Sequence, residues 1–205
     1  MTDETKALQD DIAFIKALAE DNGRALGRDG AIMVAVGVVF GLNAFRYWGI
    51  EAGFLDWAKP SANWMGIDAL AVFLIVLQVL MRRFRGVARG AASRAMSAAW
   101  TGVGLAISVA VIALAIAAWR LQQPLLVLRV FPLILFTLYG SAWWIAFKVK
   151  RRIWFAGVAA GSFVTAMGCG FGTGRSYGWA ILGTGLFLWV AAPGIAILRE
   201  ARNAA

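Results

Sequence analysis

The sequence predicts an all-α polytopic membrane protein, with six transmembrane helices behind an N-terminal cytoplasmic amphipathic helix. Three observations lead there. Hydrophobic residues make up 61% of the chain against 15% charged, and the mean hydropathy of +0.73 is more than one soluble domain of 205 residues could hide. Apolar runs recur at the roughly 20-residue length that a bilayer core requires. Basic residues then collect at alternate ends of those runs.

The first element is the segment "TKALQDDIAFIKALAEDNG", in which Leu8, Ile12, Ile15 and Ala19 recur at helical spacing. Asp3 and Glu4 suit a first turn and Asn22-Gly23 suits a C-cap, so an amphipathic helix is expected over 3–21. Six spans follow, at about 30–50, 64–81, 97–119, 125–147, 153–171 and 177–198. Inside lipid the backbone must satisfy its own hydrogen bonds, so these runs are read as helices. The expected domains are 1–29, the cytoplasmic helix and its linker; 30–198, the bundle; and 199–205, a short cytoplasmic tail. Residues 1–21 do not read as a cleaved signal peptide, since they are acidic and no basic region precedes an early apolar core.

Orientation follows from Lys and Arg. With both termini cytoplasmic, the inner segments hold Lys6, Lys16, Arg24, Arg28, Arg82, Arg83, Arg85, Arg89, Arg94, Lys148, Lys150, Arg151, Arg152, Arg199 and Arg202. The outer ends hold Arg46, Lys59, Arg120, Arg129 and Arg175. Fifteen against five, repeated at each short loop, is the positive-inside pattern and places the protein in the cell's inner (plasma) membrane. The same pattern accounts for the net charge of +9. Arg82, Arg83, Arg85, Lys148, Lys150, Arg151 and Arg152 are therefore read as contacts for lipid headgroups, and no direct nucleic-acid binding is expected.

The run "AMGCGFGTGRSYGW", residues 166–179, matches neither a Walker loop nor G-x-G-x-x-G, and is read as an outer turn between the last two spans. Arg175 stands beside it as a candidate for an anion or lipid. Small residues also line three spans: Gly37 and Gly41 on the first, Ala98, Gly102, Ala106 and Ala110 on the third, Gly157 and Gly161 on the fifth. Such stripes let helices approach closely in lipid, either within one bundle or across a homo-oligomer seam. Trp48, Trp57, Trp64, Trp119, Trp143, Trp144, Trp154 and Trp179 fall mostly near span ends, as an interfacial aromatic belt would.

Ionisable residues inside the spans carry a desolvation cost and need partners. Arg46, Asp68 and Arg129 lie at similar depth near the outer ends, and Asp68 is expected to pair with Arg46 or Arg129. Either the pair is structural, or the surplus arginine faces a solute or lipid. Asn43, Gln78, Thr101, Ser108, Ser141, Ser162 and Thr165 add polarity that hydrogen bonding between helices explains as well as a pathway does.

Several chemistries are excluded. No histidine is present and Cys169 is the only cysteine, so bis-His haem, His-ligated metal, a Ser-His-Asp triad and a disulfide framework are all ruled out. No catalytic residue, metal site or cofactor is expected, and the chain is not read as an enzyme. Through residue 21 the N-terminal helix carries six acids against two lysines, the wrong sign for an anionic leaflet. Its apolar stripe then needs a protein surface, either the chain's own basic loops or a partner that meets Leu8, Asp10, Asp11, Ile12 and Ile15.

The segment "LQDDIAFIKALAEDNGR" followed by a glycine-rich first span resembles the opening of uncharacterised multi-span inner-membrane proteins of alphaproteobacteria. The resemblance covers about 20 residues and carries no catalytic motif. It implies a partnership with a small winged-helix regulator, which would make the chain the membrane-side partner of a cytoplasmic DNA-binding protein. The function expected is thus a non-enzymatic membrane scaffold or sensor that presents a cytoplasmic helix. The alternative is a small transporter or channel with an outward-facing anion or lipid site near Arg46, Asp68 and Arg129. A lipid-modifying enzyme is the third reading, weakened by the absence of a general base within the spans.

Overall fold

The computed structural model describes residues 3–55, 67–83, 91–123 and 126–203, with side chains described for 27–55, 68–83, 98–123, 127 and 129–203. All regular structure among them is helical. The helices are α1 (Asp3–Glu51), α2 (Ile67–Arg83), α3 (Ala91–Arg120), α4 (Leu126–Lys150), α5 (Ile153–Phe171), α6 (Ser176–Leu186) and α7 (Ala192–Asn203), with a π-helical turn, Phe187–Ala191, joining the last two. Five stretches among the described residues are long and apolar enough to cross a membrane: Gly27–Glu51, Ala98–Arg120, Arg129–Lys150, Ile153–Phe171 and Ser176–Asn203. This is a multi-pass membrane protein by architecture. α2 has 17 residues and falls just short of that length.

α1 differs from expectation at its N-terminal part. It runs unbroken through Asn22-Gly23 as one helix of 49 residues, about 74 Å at the usual rise of 1.5 Å per residue. A mid-helix glycine costs only about 1 kcal/mol, too little to stop a helix already propagating from an apolar span. The side chains of Leu8, Asp10, Asp11, Ile12 and Ile15 lie outside the described residues. At its other end α1 stops on Gly53, whose φ of +82° is the left-handed region glycine tolerates. There Phe54 and Leu55 N–H donate back to the Gly49 carbonyl, at 2.8 and 3.1 Å.

Packing follows the order α3, α4, α5, α6 with the π turn, α1, α2, while α7 returns along α1. The small residues on α1 make its part of this closure possible. A Cβ at Gly30 would lie 2.8 Å from the Gly194 carbonyl oxygen, and one at Gly37 would lie 2.6 Å from the Ala191 nitrogen. The glycine stripe of the first span is thus occupied inside one chain. On α5, Gly161 receives the Trp189 ring, while Gly157 has open space and packs on nothing. The stripe on α3 is likewise open at Gly102. Only 6% of the most apolar window of α3 is buried, so Leu105, Val109, Ile112 and Ile116 face outward as a lipid-facing surface must.

Two clusters make the core. One gathers Trp143, Ala146, Phe155, Val158, Ala159 and Ile197; the other gathers Phe136, Ala166, Cys169, Leu186 and Val190. Trp143 corrects the aromatic-belt reading, since it is 2% exposed, stacked on Phe155 and nearly perpendicular to Trp100. Trp119 and Trp144 remain exposed as belt residues would. The π turn has a cause nearby: Pro193 has no N–H and its ring would crowd the carbonyl four residues back, and a widened turn just before it relieves both problems.

Candidate functional site

Among the described side chains, charge lies at the two ends of the bundle. One end carries Arg28, Asp29, Lys150, Arg152 and Glu200, near the C-terminus of α7; the other carries Arg46, Glu51, Asp68, Arg129 and Arg175. Between them the polar side chains mostly serve their own helices. Ser108, Thr137, Ser141, Ser162 and Thr165 each donate to the carbonyl four residues earlier, at 2.8 to 2.9 Å. Trp189 Nε1–H crosses between helices, donating to Thr165 Oγ1 at 2.9 Å. Back-bonding of the first kind satisfies the hydroxyl hydrogen within its own helix.

At the end bearing Asp68, the sequence expectation resolves in favour of Arg46. The Arg46 guanidinium donates from Nη1 to Asp68 Oδ2, and Asp68 Oδ1 accepts the Ala69 N–H at 2.9 Å. Asp68 thereby both satisfies a backbone N–H in the first turn of α2 and neutralises the arginine, two roles that suit an acid at that place. Arg46 also lies over the Tyr47 ring, 5.6 Å from its centroid. Asp68→Asn is expected to cost about 1 kcal/mol or less, because the pair is partly exposed and its surroundings screen the guanidinium left behind. Arg46→Gln combined with Asp68→Asn should cost less than the sum of the two singles; thermal unfolding in detergent that is strictly additive would show that the pair carries no coupling.

Arg129 is placed elsewhere. It lines a cavity of about 140 Å³ with Arg175, Glu51, Thr173 and Trp179, closed on one side by Gly172, Gly174 and Gly178. No carboxylate among the described residues lies within 4.0 Å of either arginine. The glycine run builds this wall as the tight turn expected of it. Gly172 caps α5 with its N–H on the Gly168 carbonyl at 2.9 Å, and Gly174 has φ +80°. Gly172 and Gly178 touch backbone to backbone, which no side chain would permit. Glu51 was not singled out by sequence reasoning. Its signal was its position, as the carboxylate at the last residue of the first span.

The opposite end holds a larger cavity of about 330 Å³, bounded by Ile32, Met33, Val36, Met81, Trp100 and Trp143, with Arg28 and Asp29 also at its wall. Arg28 Nη2 donates to Asp29 Oδ1 at 3.2 Å. Trp143 Nε1–H is buried there with no acceptor among the described residues. The basic residues expected at lipid headgroups lie at this same end. Arg82 and Arg83 are exposed in the last turn of α2, and Arg85 lies outside the described residues. Lys148 stands over the Trp144 ring at 5.3 Å, Lys150 lies 5.9 Å from the Phe155 ring, Arg151 takes the left-handed turn between α4 and α5, and Arg152 pairs with Glu200. Cation–ring contact and long apolar stems suit side chains at a headgroup layer.

Fold and charge placement together define an all-helical, multi-pass membrane protein whose ionisable groups lie at the ends of its apolar helices. Compared with known proteins, the chain matches no family model, no curated protein and no solved structure.

Proposed function

We propose that this chain is a non-enzymatic scaffold or sensor of the inner membrane, with six spans and both termini cytoplasmic, that presents its N-terminal helix to a cytoplasmic regulatory protein. The observation that carries this reading is the continuity of α1 from Asp3 to Glu51. A helix far longer than a bilayer is thick, wedged in the bundle against α2, α6 and α7, couples whatever grips its free end to the membrane domain. The sixth span is α2, which would reach about 25 Å at helical rise and carries Asp68 and Arg83 at its two ends. Fifteen of twenty basic residues then face the cytoplasm. The alternative, a small transporter or channel with an anion or lipid site at that end, keeps Arg129 as its surplus arginine, since Asp68 is engaged by Arg46. A DNA-binding regulator as the partner rests on the sequence resemblance.

The test is deletion of residues 1–22. The truncated protein should insert and melt as the full chain does, yet recover no cross-linked cytoplasmic partner above an empty-membrane control. In a Cys169→Ala background, a cysteine introduced by Gly90→Cys should label only from the cytoplasmic side. Full partner recovery by the truncated chain, or labelling from outside, would overturn the reading.

A further inference from the structure

The outer cavity is lined by charges of both signs, and none of them forms an ion pair among the described residues. Arg129 stands in the first turns of α4, Arg175 in the turn between α5 and α6, and Glu51 at the last residue of α1. Three separate elements thus bring two guanidinium groups and one carboxylate to one cavity of about 140 Å³. Glu51 forms no ion pair within 4.0 Å among the described residues, and neither arginine does. Arg46, at the same end, shows what an intramolecular solution looks like, since it is held by Asp68. A cavity that gathers such groups, with no ion pair to them among the described residues, is suited to charge brought from outside.

The sign pattern specifies that charge. Two planar guanidinium groups match a phosphate, whose oxygens accept paired N–H bonds. A lone carboxylate would repel a simple phosphate, and it gains most from a cationic donor attached to the same molecule. The wall supports close approach, because Gly172, Gly174 and Gly178 carry no side chains and nothing lies within 4 Å of where a Cβ of Gly174 would stand. Depth points to the source. Glu51, Arg129 and the α5–α6 turn all sit at the ends of membrane-length helices, which is the headgroup layer. Phe171, 85% exposed, and the exposed Tyr177 flank the turn and offer apolar contact to acyl chains.

We propose that the outer cavity, formed by Arg129, Arg175 and Glu51, binds a zwitterionic aminophosphate, the headgroup of an aminophospholipid in the outer leaflet. The arginines hold the phosphodiester and Glu51 receives the ammonium. The site is independent of what the cytoplasmic end of α1 binds.

Native mass spectrometry of the full chain in detergent tests this, with short-chain phosphatidylethanolamine, phosphatidylglycerol of the same chain length and free phosphorylethanolamine as probes. One phosphatidylethanolamine should bind per chain, more tightly than phosphatidylglycerol. Arg129→Gln with Arg175→Gln should weaken it by roughly tenfold or more, as expected for loss of charge-assisted hydrogen bonds. Thr173→Glu, which adds an acid to the wall and removes no arginine, should weaken it similarly and guards against misfolding of the double variant. Glu51→Gln should abolish the preference for the amine lipid. Equal affinity for free phosphorylethanolamine would retain the zwitterion and replace the lipid with a soluble solute. Binding unchanged in both the double variant and Thr173→Glu, or a preference unmoved by Glu51→Gln, would overturn the proposal.

Discussion

Gly37→Val is expected to prevent the bundle from closing, with a loss of about 3 kcal/mol or more. The position has no room for even one carbon: a Cβ there would lie 2.6 Å from the Ala191 nitrogen, 2.7 Å from Ala191 Cβ and 2.8 Å from the Leu186 carbonyl oxygen. Two of those neighbours are backbone and cannot rotate away, so α1 would have to separate from the π turn along much of its length. Overpacking of a core costs about 1–3 kcal/mol when side chains can shift, and this case has less freedom than that. In lipid no hydrophobic force compensates for a parted helix pair. Gly157→Ala on α5 is the control, since nothing lies within 4 Å of its Cβ position and the helix should melt unchanged or slightly higher. Thermal unfolding in detergent separates the two. A Gly37→Val protein that melts within a few degrees of the parent would show that the seam between α1 and the π turn is not tight.

Trp189→Ala should be the next most damaging change, at about 3–5 kcal/mol. The indole lies over Gly161, packs against both core clusters and holds α5 through its bond to Thr165 Oγ1 at 2.9 Å. Its removal leaves a hole where the two clusters meet. Trp189→Phe keeps most of the ring and loses only the hydrogen bond, worth about 0.6 kcal/mol between membrane helices. Thr165→Val loses the same bond from the other side, so the two together should cost little more than either alone. Additive losses in that cycle would mean that the bond contributes nothing and each residue acts by packing.

Helix type and depth could be read from the sequence because they depend on one dimension. A hydropathy run measures distance along the bilayer normal, so it located five spans and put Arg46 and Asp68 at one depth, where they pair. The turn at 172–175 was readable for a similar reason, since glycine tolerates the φ of +80° found at Gly174. What the sequence does not carry is rotation about each helix axis. Arg129 was assigned to the Asp68 cluster by depth, yet its azimuth on α4 sends it to the cavity of Arg175 and Glu51. Trp143 has interfacial composition and a core position because it faces Phe155 and Trp100. Asn22-Gly23 reads as a stop signal, but a helix already anchored by its span overrides so weak a local preference.

The pairing of α1 with the last span, from α6 through the π turn to α7, also bears on how the molecule is made. The glycine face at Gly37 is covered by Leu186 and Ala191, about 150 residues later in the chain. At ordinary synthesis rates of roughly 5–20 residues per second, that partner emerges on the order of 10–30 s after the first span. During this interval the first span sits at the insertion machinery or in lipid with its smooth face uncovered, while α3, α4 and α5 can already assemble beside it. The closing step of biogenesis is therefore the docking of the last helix onto the first. A ribosome that stops after residue 171 would release a chain whose first helix can meet α2 but whose glycine face stays uncovered.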